Sequence, residues 1–254
     1  MRSLLLAATA LVGLAVSAPA EAGVFTVDQA AWTAGNCVGS TSCVANGVTI
    51  AASGNAAAAA GAGLVVVQNP ARLSTLTYSG GTGLGVNFAD YPGTGPWKSA
   101  NREIQFSEAM TFTFASPTKI EDLRVIFLYS KERFGADPND ELALLSSGDA
   151  THTLRVINSA TGVFAYDGPG GNASVSRVAP FERGIFSIAS PFGDREITSF
   201  TLSAPFLSNN TTSDNSDYAF LSLTAVPEPA SMALFGAGLL GLGLARRARR
   251  ASAA

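Results

Sequence analysis

Two glutamates five positions apart, Glu103 and Glu108, form the best-spaced carboxylate pair in the chain. Glycoside hydrolysis needs two acids about 5 Å or about 6.5–9.5 Å apart, one to donate a proton and one to attack or to activate water. On a single strand an offset of five puts the two side chains on opposite faces. An intervening turn would bring them together, and the sequence shows none there. The single histidine, His152, lies between Thr151 and Thr153 in an alternating stretch. A serine hydrolase needs nucleophile, base and orienting acid in contact, and no Gly-x-Ser-x-Gly elbow is present. A zinc-protease helix needs two histidines. The sequence therefore assigns no catalytic residue.

Cys37 and Cys43, the only cysteines, flank a small flexible loop, Val38-Gly39-Ser40-Thr41-Ser42. In an oxidising compartment they read as a small disulfide ring; redox CxxC spacing is absent. Asp137, Asn139, Asp140 and Glu141 crowd a turn around Pro138. Hard oxygen ligands on a loop suit calcium, although the twelve-residue loop pattern is missing. The competing reading is a polar turn whose side chains bond their own backbone. No other cofactor is implied. Tyr91 and Trp97 stand in the Pro/Gly-rich stretch Asp90–Trp97. Aromatic rings on loops can stack on sugars, and they can equally fold back to cap a sheet.

These residues need a scaffold, and the scaffold reads as β. Met110, Phe112 and Phe114 alternate with Thr111 and Thr113, and Leu123–Tyr129, Glu141–Leu145, Thr151–Ile157, Val163–Tyr166, Gly184–Ile188, Ile197–Leu202 and Tyr218–Leu223 continue the pattern. Leu64–Val67 is a short buried-strand run. Turn signals such as Ser116-Pro117 and Ser147-Gly148-Asp149 separate the segments. The alanine-rich stretch Gly54–Gly63 reads as a loop or one helical turn. No amphipathic helix is evident between the termini. The expected fold is all-β, a single β-sandwich or jelly-roll-like domain over residues 23–225.

Both ends read differently. Arg2, an apolar run Leu4–Val16 and Ala20-Glu21-Ala22 make residues 1–22 a signal peptide, with cleavage before Gly23. Residues 226–254 form a tail: Pro227, Glu228 and Pro229 within 226–231, an uncharged run over 230–245, then Arg246, Arg247, Arg249 and Arg250. As a helix the run spans about 24 Å, short against a hydrocarbon core of about 30 Å. Arginines beside a span stay cytoplasmic, so the body lies outside. A Gly-x-Gly-x-x-Gly match at Gly236–Gly241 lies inside this run with no preceding strand, and is discarded. The whole chain carries 16 Lys+Arg and 19 Asp+Glu. Without both ends the body keeps 11 and 17, a net charge of −6, which argues against nucleic acid as a partner.

The tail resembles the PEP-CTERM sorting signal, through Pro227-Glu228-Pro229, the apolar run Met232–Leu244 and the basic cluster from Arg246. The resemblance implies recognition by an exosortase, tail removal near the triplet, and delivery to the surface or matrix of an exopolysaccharide-producing Gram-negative bacterium. The uncut alternative is an ordinary membrane anchor. More faintly, Gly83–Val86, Arg102-Glu103-Ile104, Glu108 and Phe112–Phe114 look like the body of many proteins with this tail, β-sandwiches of unassigned biochemistry. The function expected is an exported surface or matrix protein without catalysis. The alternatives are a module that binds exopolysaccharide and a secreted hydrolase.

Overall fold

The computed structural model describes residues 23–61, 65–90, 102–130, 140–158, 163–178, 183–205 and 216–227. Val24–Glu228 form one unit. Of the described residues, 59% are strand and 10% helical. The signal peptide, Tyr91, Trp97, Asp137, Asn139, Glu228, Pro229, the run 230–245 and Arg246, Arg247, Arg249 and Arg250 lie outside the described residues.

The N-terminal third carries β1 (Phe25–Val27), α1 (Gln29–Ala34), β2 (Ser42–Ala45), β3 (Val48–Gly54), α2 (Ala56–Gly61) and β4 (Val65–Val66). The middle adds β5 (Arg72–Tyr78), β6 (Gly81–Asn87), β7 (Ala89–Asp90) and the long β8 (Glu108–Ile126). β9 (Leu142–Ser147), β10 (Ala150–Asn158), β11 (Val163–Tyr166), β12 (Val175–Val178), β13 (Ile185–Ala189), β14 (Ile197–Ser203) and β15 (Ala219–Pro227) complete the order. Thirteen strands join in one antiparallel sheet, and β4 pairs with β7 apart from it.

β8 holds the sheet together because it has four partners. Its front half pairs with β3 and β14, and its rear half with β13 and β15. Ser116-Pro117, expected to end a strand, lies inside it instead. Ile197 faces Thr118 while Ser199 faces Thr113, so two steps along β14 oppose five along β8. This excess is an irregular bulge, and proline, which cannot donate to a ladder, is tolerated at a bulge. The strand changes course there. If β8 were straight, Phe112 and Val125 would stand about 43 Å apart. Phe220 pairs with Val125, yet its ring centroid lies 4.7 Å from that of Phe112. The two halves of the sheet therefore face one another across a shared core.

That core is aromatic. Phe112 stacks on Phe200 with centroids 4.6 Å apart and planes 4° from parallel. Trp32 leans on Phe220 at 5.7 Å, and Phe164 meets Phe186 edge-on at 5.9 Å. Trp32 is delivered by α1, which the sequence did not reveal. The helix has six residues, too few for a legible period, and it is N-capped by Asp28, whose Oδ1 accepts from the Ala31 N–H at 3.1 Å. The alanine stretch is likewise helical over Ala56–Gly61, capped by Asn55, with Ala59 buried. Strand character past Ile126 ends because Phe127 takes φ 70°.

Candidate functional site

Glu103 and Glu108 do not share a strand. The chain from Glu103 to Gln105 links β6 to Tyr218, the residue before β15: Ile104 donates to the Tyr218 carbonyl at 2.6 Å, and the Glu103 carbonyl accepts from Val86 at 3.2 Å. A turn through Phe106 and Ser107, with Ser107 at φ 76°, then reverses the chain into β8. Glu108 N–H closes it on the Gln105 carbonyl at 2.9 Å. The expectation of opposite faces is thus corrected: the turn invisible in the sequence brings both carboxyls inward, where both are buried. The Ile104–Tyr218 bridge sets Asp217 beside them, a residue that no sequence pattern singled out.

Both oxygens of Glu108 are engaged. Oε1 accepts the Phe88 and Ala89 backbone N–H groups at 2.9 and 3.0 Å, and Oε2 accepts that of Gln105 at 3.1 Å. The side chain thereby ties the end of β6 to the start of β8. Burial raises its pKa to about 8, outweighing the three N–H donors that favour the charged form, and the charge of Asp217 adds to the rise. Burial also holds Glu103 well above the ordinary value, with Asp217 and Glu108 pushing the same way. A pair with one member fully committed to backbone groups is arranged to fasten strands.

Asp140, Glu141 and His152 are also tied into the fold. Asp140 is buried and pairs with Arg155, Oδ2 to Nη2 at 2.9 Å. Glu141 accepts from the Tyr129 backbone N–H through Oε2. No group of three or more His, Cys, Asp or Glu side chains able to hold a metal occurs among the described residues. His152 lies 3.9 Å from Asp167, whose Oδ1 accepts the Thr153 N–H at 2.6 Å, and its ring packs on Tyr166 and Phe192.

Cys37 and Cys43 are joined by a disulfide, with Cys37 fully buried. The ring they close is clamped to β5. Gly39 donates to the Leu73 carbonyl at 2.8 Å, Leu73 donates to the Ser40 carbonyl at 2.7 Å, and Arg72 Nη1 donates to the Gly39 carbonyl at 2.6 Å.

The described chain ends on β15. Ala225, Val226 and Pro227 pair with Ile120, Lys119 and Thr118 of β8. No helix long and apolar enough to cross a membrane occurs among the described residues. No curated protein and no solved structure matches the chain. Residues 225–250 match the PEP-CTERM protein-sorting motif, as the Pro-Glu-Pro triplet, apolar run and arginines suggested. The chain therefore carries a PEP-CTERM sorting motif, which implies an exported protein processed by an exosortase-type system.

Proposed function

We propose that the β domain is a structural or interaction module at the cell surface or in the extracellular matrix of a Gram-negative bacterium, without catalysis of its own. The observation that carries this reading is the sorting motif beginning at residue 225, on the last strand of a disulfide-bonded β domain. The doubled sheet around the Phe112–Phe220 contact supports description as a β-sandwich. In this reading the run 230–245 holds the chain in the inner membrane until the tail is cut. The engaged oxygens of Glu108 support a non-catalytic domain.

The test is fractionation of the native host. Full-length chain should collect at the surface or in the matrix, whereas a chain ending at Glu228 should move to the medium. Unchanged distribution after truncation refutes the sorting role. The runner-up, exopolysaccharide binding, draws on the aromatic pair Tyr91 and Trp97 on a Pro/Gly-rich stretch. Affinity electrophoresis in the native polysaccharide decides it. A Trp97→Ala chain that migrates like wild type removes that ring from consideration.

A further inference from the structure

We propose that the outer edge of β5 is a docking site for an extended acidic peptide of another protein, which adds as a strand between two fixed arginines. This edge gives the interaction reading above its surface and rests on that reading for its role. Fractionation after truncation tests the reading; the binding measurements below test the edge.

β5 is the last strand on its side of the sheet, with β6 as its neighbour. In an antiparallel pair every second residue turns its N–H and C=O away from the partner strand. Leu73 is such a residue: its carbonyl accepts from Gly39 at 2.8 Å, and its N–H donates to the Ser40 carbonyl at 2.7 Å. Thr75 and Thr77 fall on the same period, and their outward groups meet no backbone partner among the described residues. The disulfide ring therefore caps the head of this edge and leaves its second half open.

Side chains on the outer face favour an added strand. Leu76 packs on a cluster of Ile126, Phe127 and Ala219. Tyr78 meets Phe127 edge-on at 6.3 Å and stays 49% exposed. A strand laid along β5 would set alternate side chains beside this apolar rim.

Charge selects the partner. Arg72 stands at one end of the edge, its Nη1 donating to the Gly39 carbonyl at 2.6 Å. Arg183 stands at the other, its Nε donating to the Ser79 carbonyl at 2.9 Å. Neither lies within ion-pair distance of a carboxylate among the described residues. A second copy of the chain is the poorer occupant. Two copies paired antiparallel about Leu76 would set Arg72 of each against Gly80 of the other, where Arg183 lies, and like charges would meet. A peptide with a carboxylate at each end of an extended stretch of about six residues, about 20 Å, meets both guanidiniums instead. The acidic excess of the body opposes its approach only at long range, since charges are screened beyond about 8 Å at physiological salt.

The test uses the full chain in detergent and a fluorescein-labelled peptide of alternating valine and threonine with a glutamate at each end. Anisotropy should show saturable binding, and amide exchange across Ser74–Tyr78 should slow when the peptide is present. The same peptide ending in lysines should bind about tenfold more weakly, the effect of two charge contacts of ordinary surface strength. Arg72→Gln combined with Arg183→Gln should remove that preference. Thr75→Pro deletes one outward N–H and no bond to β6, and should weaken the glutamate peptide about fivefold. No saturable binding, equal binding of the two peptides, or binding unchanged by Thr75→Pro overturns the proposal. Should Thr75→Pro fail to fold, the arginine variant decides: a glutamate preference that persists in it overturns the proposal. A dimer of the full chain that Thr75→Pro dissolves also overturns it and gives the edge to a second copy.

Discussion

Raising the pH from 5 to 8.5 should weaken the domain, and replacing Glu108 by glutamine should remove part of that loss. Glu108 titrates at about 8 in the folded chain, against an ordinary value of 4.5, because it is buried. A carboxyl whose folded value is raised contributes stability that is complete below the ordinary pKa. That contribution disappears as the pH climbs through the folded value. The window is therefore pH 4.5 to 8. At about 1.4 kcal/mol per pH unit the ceiling is roughly 5 kcal/mol, a large part of a typical 5–15 kcal/mol stability. Glu103, raised by the same burial and by Asp217, adds in the same direction. The exposed Asp194, held below its ordinary value by Lys119, acts oppositely and only at more acid pH. Urea unfolding followed by tryptophan fluorescence reads the effect, since Trp32 is buried against Phe220. With a urea slope of about 2 kcal/mol per molar, the midpoint should fall by up to about 2.5 M across the window. Glu108→Gln is neutral throughout and should show a shallower fall, with Glu103 supplying the remainder. A wild-type midpoint that stays level or rises from pH 5 to 8.5 refutes the reasoning. So does an unchanged slope in the glutamine variant.

Two further outcomes follow from packing and covalent structure. Phe112→Ala removes a fully buried ring stacked on Phe200 and touching Phe220, and should cost about 3–5 kcal/mol in chemical unfolding. Replacing Cys37 and Cys43 together by alanine opens a loop of sequence separation 6 and should cost about 2 kcal/mol, measured against the oxidised wild type.

The strands with strict alternation were readable because one face meets the core and the other meets solvent. Met110, Phe112 and Phe114 are such a case, and the Ile197–Leu202 reading shares its first residue with β14. What escaped was set by turns and by long-range pairing. Asn46-Gly47, with φ 47° and 79°, forms a two-residue hairpin between β2 and β3. Ser79-Gly80, at 50° and 76°, does the same between β5 and β6. The first is a strong local signal that could have been used. Ser116-Pro117 misled, because proline marks a bulge and a turn alike. The Glu103–Glu108 arrangement depends on Ile104 reaching Tyr218, a contact across 114 positions that no local pattern encodes. The tail was the reverse case, since its meaning lies in the order of three short segments and needs no fold at all.

The four-way strand at the centre has a consequence for biogenesis. β3 lies before it in the chain, while β13, β14 and β15 all come after it. A polypeptide threaded out N-terminus first delivers β3 and β8 long before their later neighbours arrive. Pairings this distant in sequence close slowly, and uncovered strand edges invite association in the meantime. Until β15 emerges the nascent sheet has unpaired edges that a holding chaperone could occupy. Because the sorting motif begins on β15, the last of the described strands to be exported both closes these edges and carries the start of the sorting signal.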